Sequence, residues 1–84
     1  MNIYVASARI DSVIAEVYHL SRRDAQILIA SECVFVGGRT IKDNAHLLKA
    51  SERISVSGKG KFIYLGQEKV TRKNRLSVKM KRYD

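Results

Sequence analysis

Between Ser21 and Arg39 the sequence SRRDAQILIASECVFVGGR changes period, and that change restricts the fold more than any other feature of the chain. Ser21 is a residue type that caps helices, with Asp24 three positions on as an acidic variant of the capping box. Ala25, Leu28 and Ile29 then fall at helical spacing. From Cys33 to Val36 the pattern becomes that of a strand, Gly37-Gly38 suits a two-residue turn with positive φ, and Arg39 to Ile41 reads as the return strand. The expected class is α+β, with two short helices packed on one side of a small, mostly antiparallel sheet.

The flanking segments extend this reading. A strand is predicted at Ile3 to Ala6. A first helix follows, capped by Ser7, with Ile10, Val13, Ile14 and Val17 on one face and Asp11 favourably placed for the helix dipole. After the hairpin, Lys42 to Ser51 reads as a loop with a turn at Asp43-Asn44, and Leu47-Leu48 are expected to tuck under the sheet. Arg53 to Ser57 alternates as a strand with Ile54 and Val56 inward. Further strands are expected at Phe62 to Leu65 and Leu76 to Met80, with a turn at Gly66 to Glu68. Ser77, Lys79 and Lys81 share one face of the last strand, too charged to bury. The chain reads as one domain spanning residues 1–84, since no proline-rich linker, repeat or low-complexity stretch divides it.

Charge then narrows the partner. Sixteen Lys and Arg against eight Asp and Glu give a net charge of +8, and residues 51–84 carry ten of the basic side chains. A polyanion is the natural partner, nucleic acid first and an anionic membrane surface second. Thr71 to Arg75 is the densest basic cluster. Gly58-Lys59-Gly60-Lys61 places two lysines on flexible backbone but lacks the spacing of a phosphate-binding P-loop.

Arg22 and Arg23 sit in the first turn of the second helix, where a cation opposes the dipole by about 0.3–1 kcal/mol at an exposed site. Folding alone favours acids there. The same turn has free backbone N–H groups and is a natural anion site, so two guanidiniums beside it suit a phosphate clamp. The alternative is that both arginines only solubilise the helix.

Other chemistry finds little support in the residues. His19 and His46 lack a Cys, Asp or Glu constellation at ligand spacing, and no nucleophile is paired with a base. The expectation is a protein that is not an enzyme, with no metal, cofactor or small-molecule substrate. Cys33 is the single cysteine, which suits a reducing, cytoplasmic setting, and it reads as a small buried side chain. No apolar run approaches the about 18 residues of a membrane span. Tyr4, Tyr18, Phe35, Phe62, Tyr64 and Tyr83 read mostly as core, with Tyr64 and Tyr83 open, so a stacking platform for single strands is not expected.

The order of elements resembles the RNA-binding domain of ribosomal protein S four, the alpha-L motif. The residues that carry the resemblance are Arg9-Ile10-Asp11, Ser21-Arg22, Ala25, Leu28-Ile29, Val34-x-Val36 with Gly38, and Ile54-x-Val56, covering residues 8–57. Gly58-x-Gly60-Lys61-Phe62 and Thr71-Arg72-Lys73, in a basic β extension over 58–84, are similar to the end of the YlmH-type ribosome-associated proteins. Members of that family have a further N-terminal domain, so the chain reads as part of such a protein or as a stand-alone relative.

The resemblance implies a monomeric, non-catalytic module for structured rRNA or tRNA, with the large ribosomal subunit as its context. By position it implies an RNA surface of Arg9, Ser21, Arg22, Arg23, Gln26, Gly37, Gly38 and Arg39, to which the basic tail adds Lys59, Lys61, Arg72 and Lys73. Three positions depart from the family pattern: Glu32 stands for the glycine that ends the second helix, Gly37 for the usual Asn, and Ser51-Glu52 for a Gly-Asp pair. The competing functions are an accessory RNA-binding domain of an RNA-modifying enzyme, and a basic module for an anionic membrane or an acidic protein partner.

Overall fold

The structure is a computed structural model that describes residues 2–83. It is an α+β domain of two helices and a six-stranded sheet in which every paired neighbour is antiparallel. In chain order the elements are β1 (Asn2–Val5), α1 (Ile10–Val17), α2 (Arg22–Ala30), β2 (Val34–Val36), β3 (Arg39–Thr40), β4 (Glu52–Val56), β5 (Gly60–Val70) and β6 (Leu76–Arg82). Across the sheet they run β1-β6-β5-β4-β2-β3.

One face of the sheet builds the core. Ile3 and Val5 of β1, Val34 and Val36 of β2, Ile54 and Val56 of β4, Phe62 and Tyr64 of β5, and Val78 and Met80 of β6 alternate inward and are buried. They meet Ile10, Val13, Ile14 and Val17 of α1 and Ala25 and Ile29 of α2 in one cluster. The ring of Tyr18, at the end of α1, meets Phe62 edge-on at 6.0 Å and has the Arg82 guanidinium 5.0 Å from its centroid. Leu28 joins the cluster only in part, and Ile27 stays exposed.

Both helices end in the same way. The Leu20 N–H donates to the Ala15 carbonyl over 2.8 Å, and the Cys33 N–H donates to Leu28 over 3.0 Å. These are Schellman bonds, and they require left-handed backbone at His19 (φ 55) and Glu32 (φ 60). At the hairpin tip Gly37 (φ 57) and Gly38 (φ 84) have the two positive φ angles predicted from the sequence.

Several expectations are corrected. Ser7 does not cap α1; its hydroxyl accepts from the Arg9 N–H over 3.4 Å, and Arg9 is the N-cap residue, with no side-chain cap bond. The start of α1 is instead held by the 42–51 loop, where the Ile10 N–H donates to the His46 carbonyl at 2.8 Å and the Leu48 N–H to Ala8 at 3.0 Å. Only Leu48 tucks under; Leu47, in an isolated bridge with Arg9, is 60% exposed, as adjacent residues of extended backbone point to opposite sides. Cys33 is half-buried and precedes β2, its thiol 3.6 Å from the Ser31 carbonyl.

The larger correction is in the tail. Gly66 to Glu68 is not a turn, because β5 continues to Val70 and absorbs the irregularity as register shifts between Tyr64 and Gly66 and between Gln67 and Lys69. The turn lies at Thr71 to Asn74, where the Thr71 N–H donates to Arg75 and the Asn74 N–H to Thr71. Thus β5 and β6 form a long hairpin inside the sheet, whose edges are β1 and β3. Ser77 is buried although it shares a face with the exposed Lys79 and Lys81, since β1 and β5 flank it through Tyr4 and Lys69. Among the described residues no helix is long and apolar enough to cross a membrane.

Candidate nucleic-acid interface

The site is organised by Asp11, whose carboxylate is fully buried. Its Oδ1 accepts from Arg9 Nε at 3.2 Å and from the Ser12 N–H at 2.8 Å. Its Oδ2 accepts from Arg9 Nη2 and Arg22 Nη2, each at 3.1 Å, and from Gln26 Nε2 at 2.9 Å. Arg22 and Gln26 reach it together because residues four apart share one helix face. Burial pushes the Asp11 carboxyl pKa up, but the hydrogen bonds from Gln26, Arg22 and Arg9 outweigh it and hold the group below its ordinary 3.8.

The arrangement turns a buried acid into a support for two partly exposed cations. The Arg9 side chain is 38% exposed and that of Arg22 50%. Each guanidinium has five N–H donors in a fixed fork and uses only one or two on Asp11, so outward N–H groups remain for a phosphate. The misfit of Arg22 with the helix dipole also has a local answer, since Asp11 places a full negative charge against it. Ser21 caps α2 as predicted, its Oγ accepting from the Asp24 N–H at 3.0 Å, and Arg23 is exposed in the same turn.

Of the residues read from the sequence as an RNA surface, Arg9, Arg22 and Gln26 converge on one carboxylate, with Ser21 and Arg23 beside them. The others lie at separate places. Gly37, Gly38 and Arg39 belong to the β2–β3 hairpin at one edge of the sheet, where Gly37 and Arg39 share an open depression with Arg53. Lys59 and Lys61 line a groove at the β4–β5 connection with Phe35 and Tyr83. Arg72 and Lys73 are exposed at the tip of the β5–β6 hairpin. From that hairpin it is Arg75 that approaches α2, lining a cavity of about 180 Å³ with Arg22, Ser12 and Glu16.

Asp11 is the residue that sequence reasoning undervalued, giving it a place at the helix dipole and in the family motif but no contact with Arg22 or Gln26. The sequence held only a partial signal, in that Asp11 and Ser12 interrupt the apolar run of α1; the structure adds that of its eight residues only Glu16 is exposed. A helix buried on nearly every side must pair any acid it carries. Arg75 was read only as part of the basic cluster at Thr71 to Arg75, Phe35 was read as core although it is only half-buried, and Tyr83, which was left open, is 44% exposed. For Phe35 the alternation of Val34 and Val36 already pointed its side chain away from the core. No protein-family model matches this sequence, and no curated protein matches it.

Proposed function

We propose that this chain is a non-catalytic module that binds structured RNA, rRNA or tRNA, with its helix pair and hairpin forming an alpha-L motif. The observation that carries the reading is the Asp11 cluster, which holds Arg22 of the first turn of α2 and Arg9 of the α1 N-cap on one carboxylate while both side chains stay partly exposed. A preorganised pair of guanidiniums beside free helix N–H groups fits phosphate oxygens. Folded RNA is the favoured polyanion because its paired regions hide their base edges and offer backbone and 2′-hydroxyls to a small basic surface.

The backbone supports the family resemblance at the positions where the residues depart from it. Glu32 (φ 60), Gly37 (φ 57) and Ser51 (φ 70) all have left-handed backbone, the conformation that the family's usual Gly or Asn favours. The ribosome, with its large subunit as the binding surface, is the context this reading adopts.

The test is a binding titration against ribosomal RNA, tRNA and duplex DNA of matched length, for the parent and the Arg22→Ala, Arg23→Ala double variant. The proposal expects a preference for folded RNA that the double variant loses. Equal affinity for all three, unaltered by the substitutions, would leave only a basic surface and refute it.

A further inference from the structure

The sheet face turned away from the helices carries a second feature. Register places Thr40, Phe35, Ser55 and Lys61 side by side on β3, β2, β4 and β5, and Tyr83 continues the row, its N–H donating to the Lys61 carbonyl at 3.2 Å. Phe35 is half-buried, and Tyr83 is 44% exposed. Between them lies an open groove of about 670 Å³, lined also by Ser55, Lys59 and Lys61, within the about 300–1,000 Å³ common for ligand sites. The next row across the same face is Arg53, Ile63 and Lys81. No acidic side chain belongs to either row among the described residues.

We infer that this groove takes unpaired nucleotides of an RNA strand, with bases stacking on Phe35 and Tyr83 and phosphates meeting Lys59, Lys61, Arg53 and Lys81. The two rings stand on strands three spacings apart, about 14 Å at the backbone, far enough to take different bases of one strand. Every base offers a π-face, and a basic track beside aromatic rings is the general solution for single strands. Ser55 between the rings leaves the floor low. Lys59 links the two surfaces, because it also borders a depression formed by Leu20, Asp24, Ile27 and Leu28 beside α2. A strand leaving a duplex held at α2 therefore passes Lys59 into the groove. The inference rests on the structured-RNA reading for its source of nucleotides, but its chemistry is testable separately.

The experiment compares binding of a short fluorescent oligouridylate, a blunt RNA duplex and inorganic polyphosphate by the parent, Tyr83→Ala and Phe35→Leu. The second variant keeps apolar cover at the half-buried position, and thermal melts confirm that both fold. The expected result is a loss of about 5-fold or more in oligouridylate affinity for each variant, with duplex and polyphosphate binding unchanged. Oligouridylate binding equal in parent and variants, or absent in the parent, overturns the groove. Polyphosphate competing as well as oligouridylate, with neither sensitive to the rings, overturns it in favour of a bare charge patch. Ring-dependent oligouridylate binding without any duplex binding supports the groove and refutes the structured-RNA reading alone.

Discussion

Replacing Asp11 with Asn separates positioning from bulk charge as the reason arginines gather there. The variant gains one net positive charge, so a purely electrostatic surface binds RNA more tightly after the change. If Asp11 instead holds Arg9 and Arg22 in place, affinity falls despite the added charge; we expect a loss of about 5-fold, or about 1 kcal/mol, in a filter-binding or anisotropy titration. Stability falls too. Removing one partner of a buried pair costs about 3–5 kcal/mol, but both guanidiniums here are reached by water, so about 1–3 kcal/mol is the expectation by chemical denaturation. The pH dependence carries its own sign. Because the folded pKa of Asp11 lies below 3.8, its contribution is complete above that value and is lost as pH falls through the folded pKa. The stability gap between parent and Asp11→Asn should therefore narrow below pH 3.8 and be constant near neutrality.

At the level of elements, Gly66 shows how one signal admits two readings. In the sequence a glycine between strand-like runs reads as a turn, whereas in the fold it sits at φ 134 within β5, at the first register shift against β6. A Cβ there would lie 3.6 Å from the Ala50 Cβ, an ordinary contact, so backbone conformation and not crowding sets the cost of a substitution. Gly66→Ala is expected to destabilise by about 1–3 kcal/mol, seen as a lower denaturation midpoint with an unchanged m-value. The elements that were legible share a cause. Ile10, Val13, Ile14 and Val17, the Ser21 cap, and the Gly37-Gly38 turn are set by interactions within a few residues, and the structure has each of them. What the sequence did not reveal depends on distant partners: Asp11 meets Arg22 and Gln26 from another helix, the start of α1 is completed by His46, and Tyr83 joins Phe35 only through three intervening pairings.

For the whole molecule the distribution of charge decides how binding responds to salt. The guanidiniums around Asp11, Arg39 at the sheet edge, the lysines of the groove and the hairpin tip lie at separate places, so no single contact dominates. With about six to eight phosphates engaged, the slope of log affinity against log salt is expected near −4 to −7 for folded RNA. A slope near zero, measured between low and physiological salt, contradicts a phosphate-reading surface. The same spread means that Arg72→Ala with Lys73→Ala should flatten the slope by about 2 units if the hairpin tip touches RNA and leave it unaltered if it does not.

The pairing of β1 with β6 also fixes how the molecule responds to force. Asn2 lies opposite Lys79 and Val5 opposite Leu76, so the first strand and the last present their outer ends at the same end of the ladder. Tension applied through residues 2 and 83 pulls these strands apart like a zipper, loading one rung at a time instead of shearing all of them together. Mechanically, the domain is a weak link in that direction, and the first element to yield is β1, which uncovers the backbone edge of β6 while leaving Asp11 and its arginines in place.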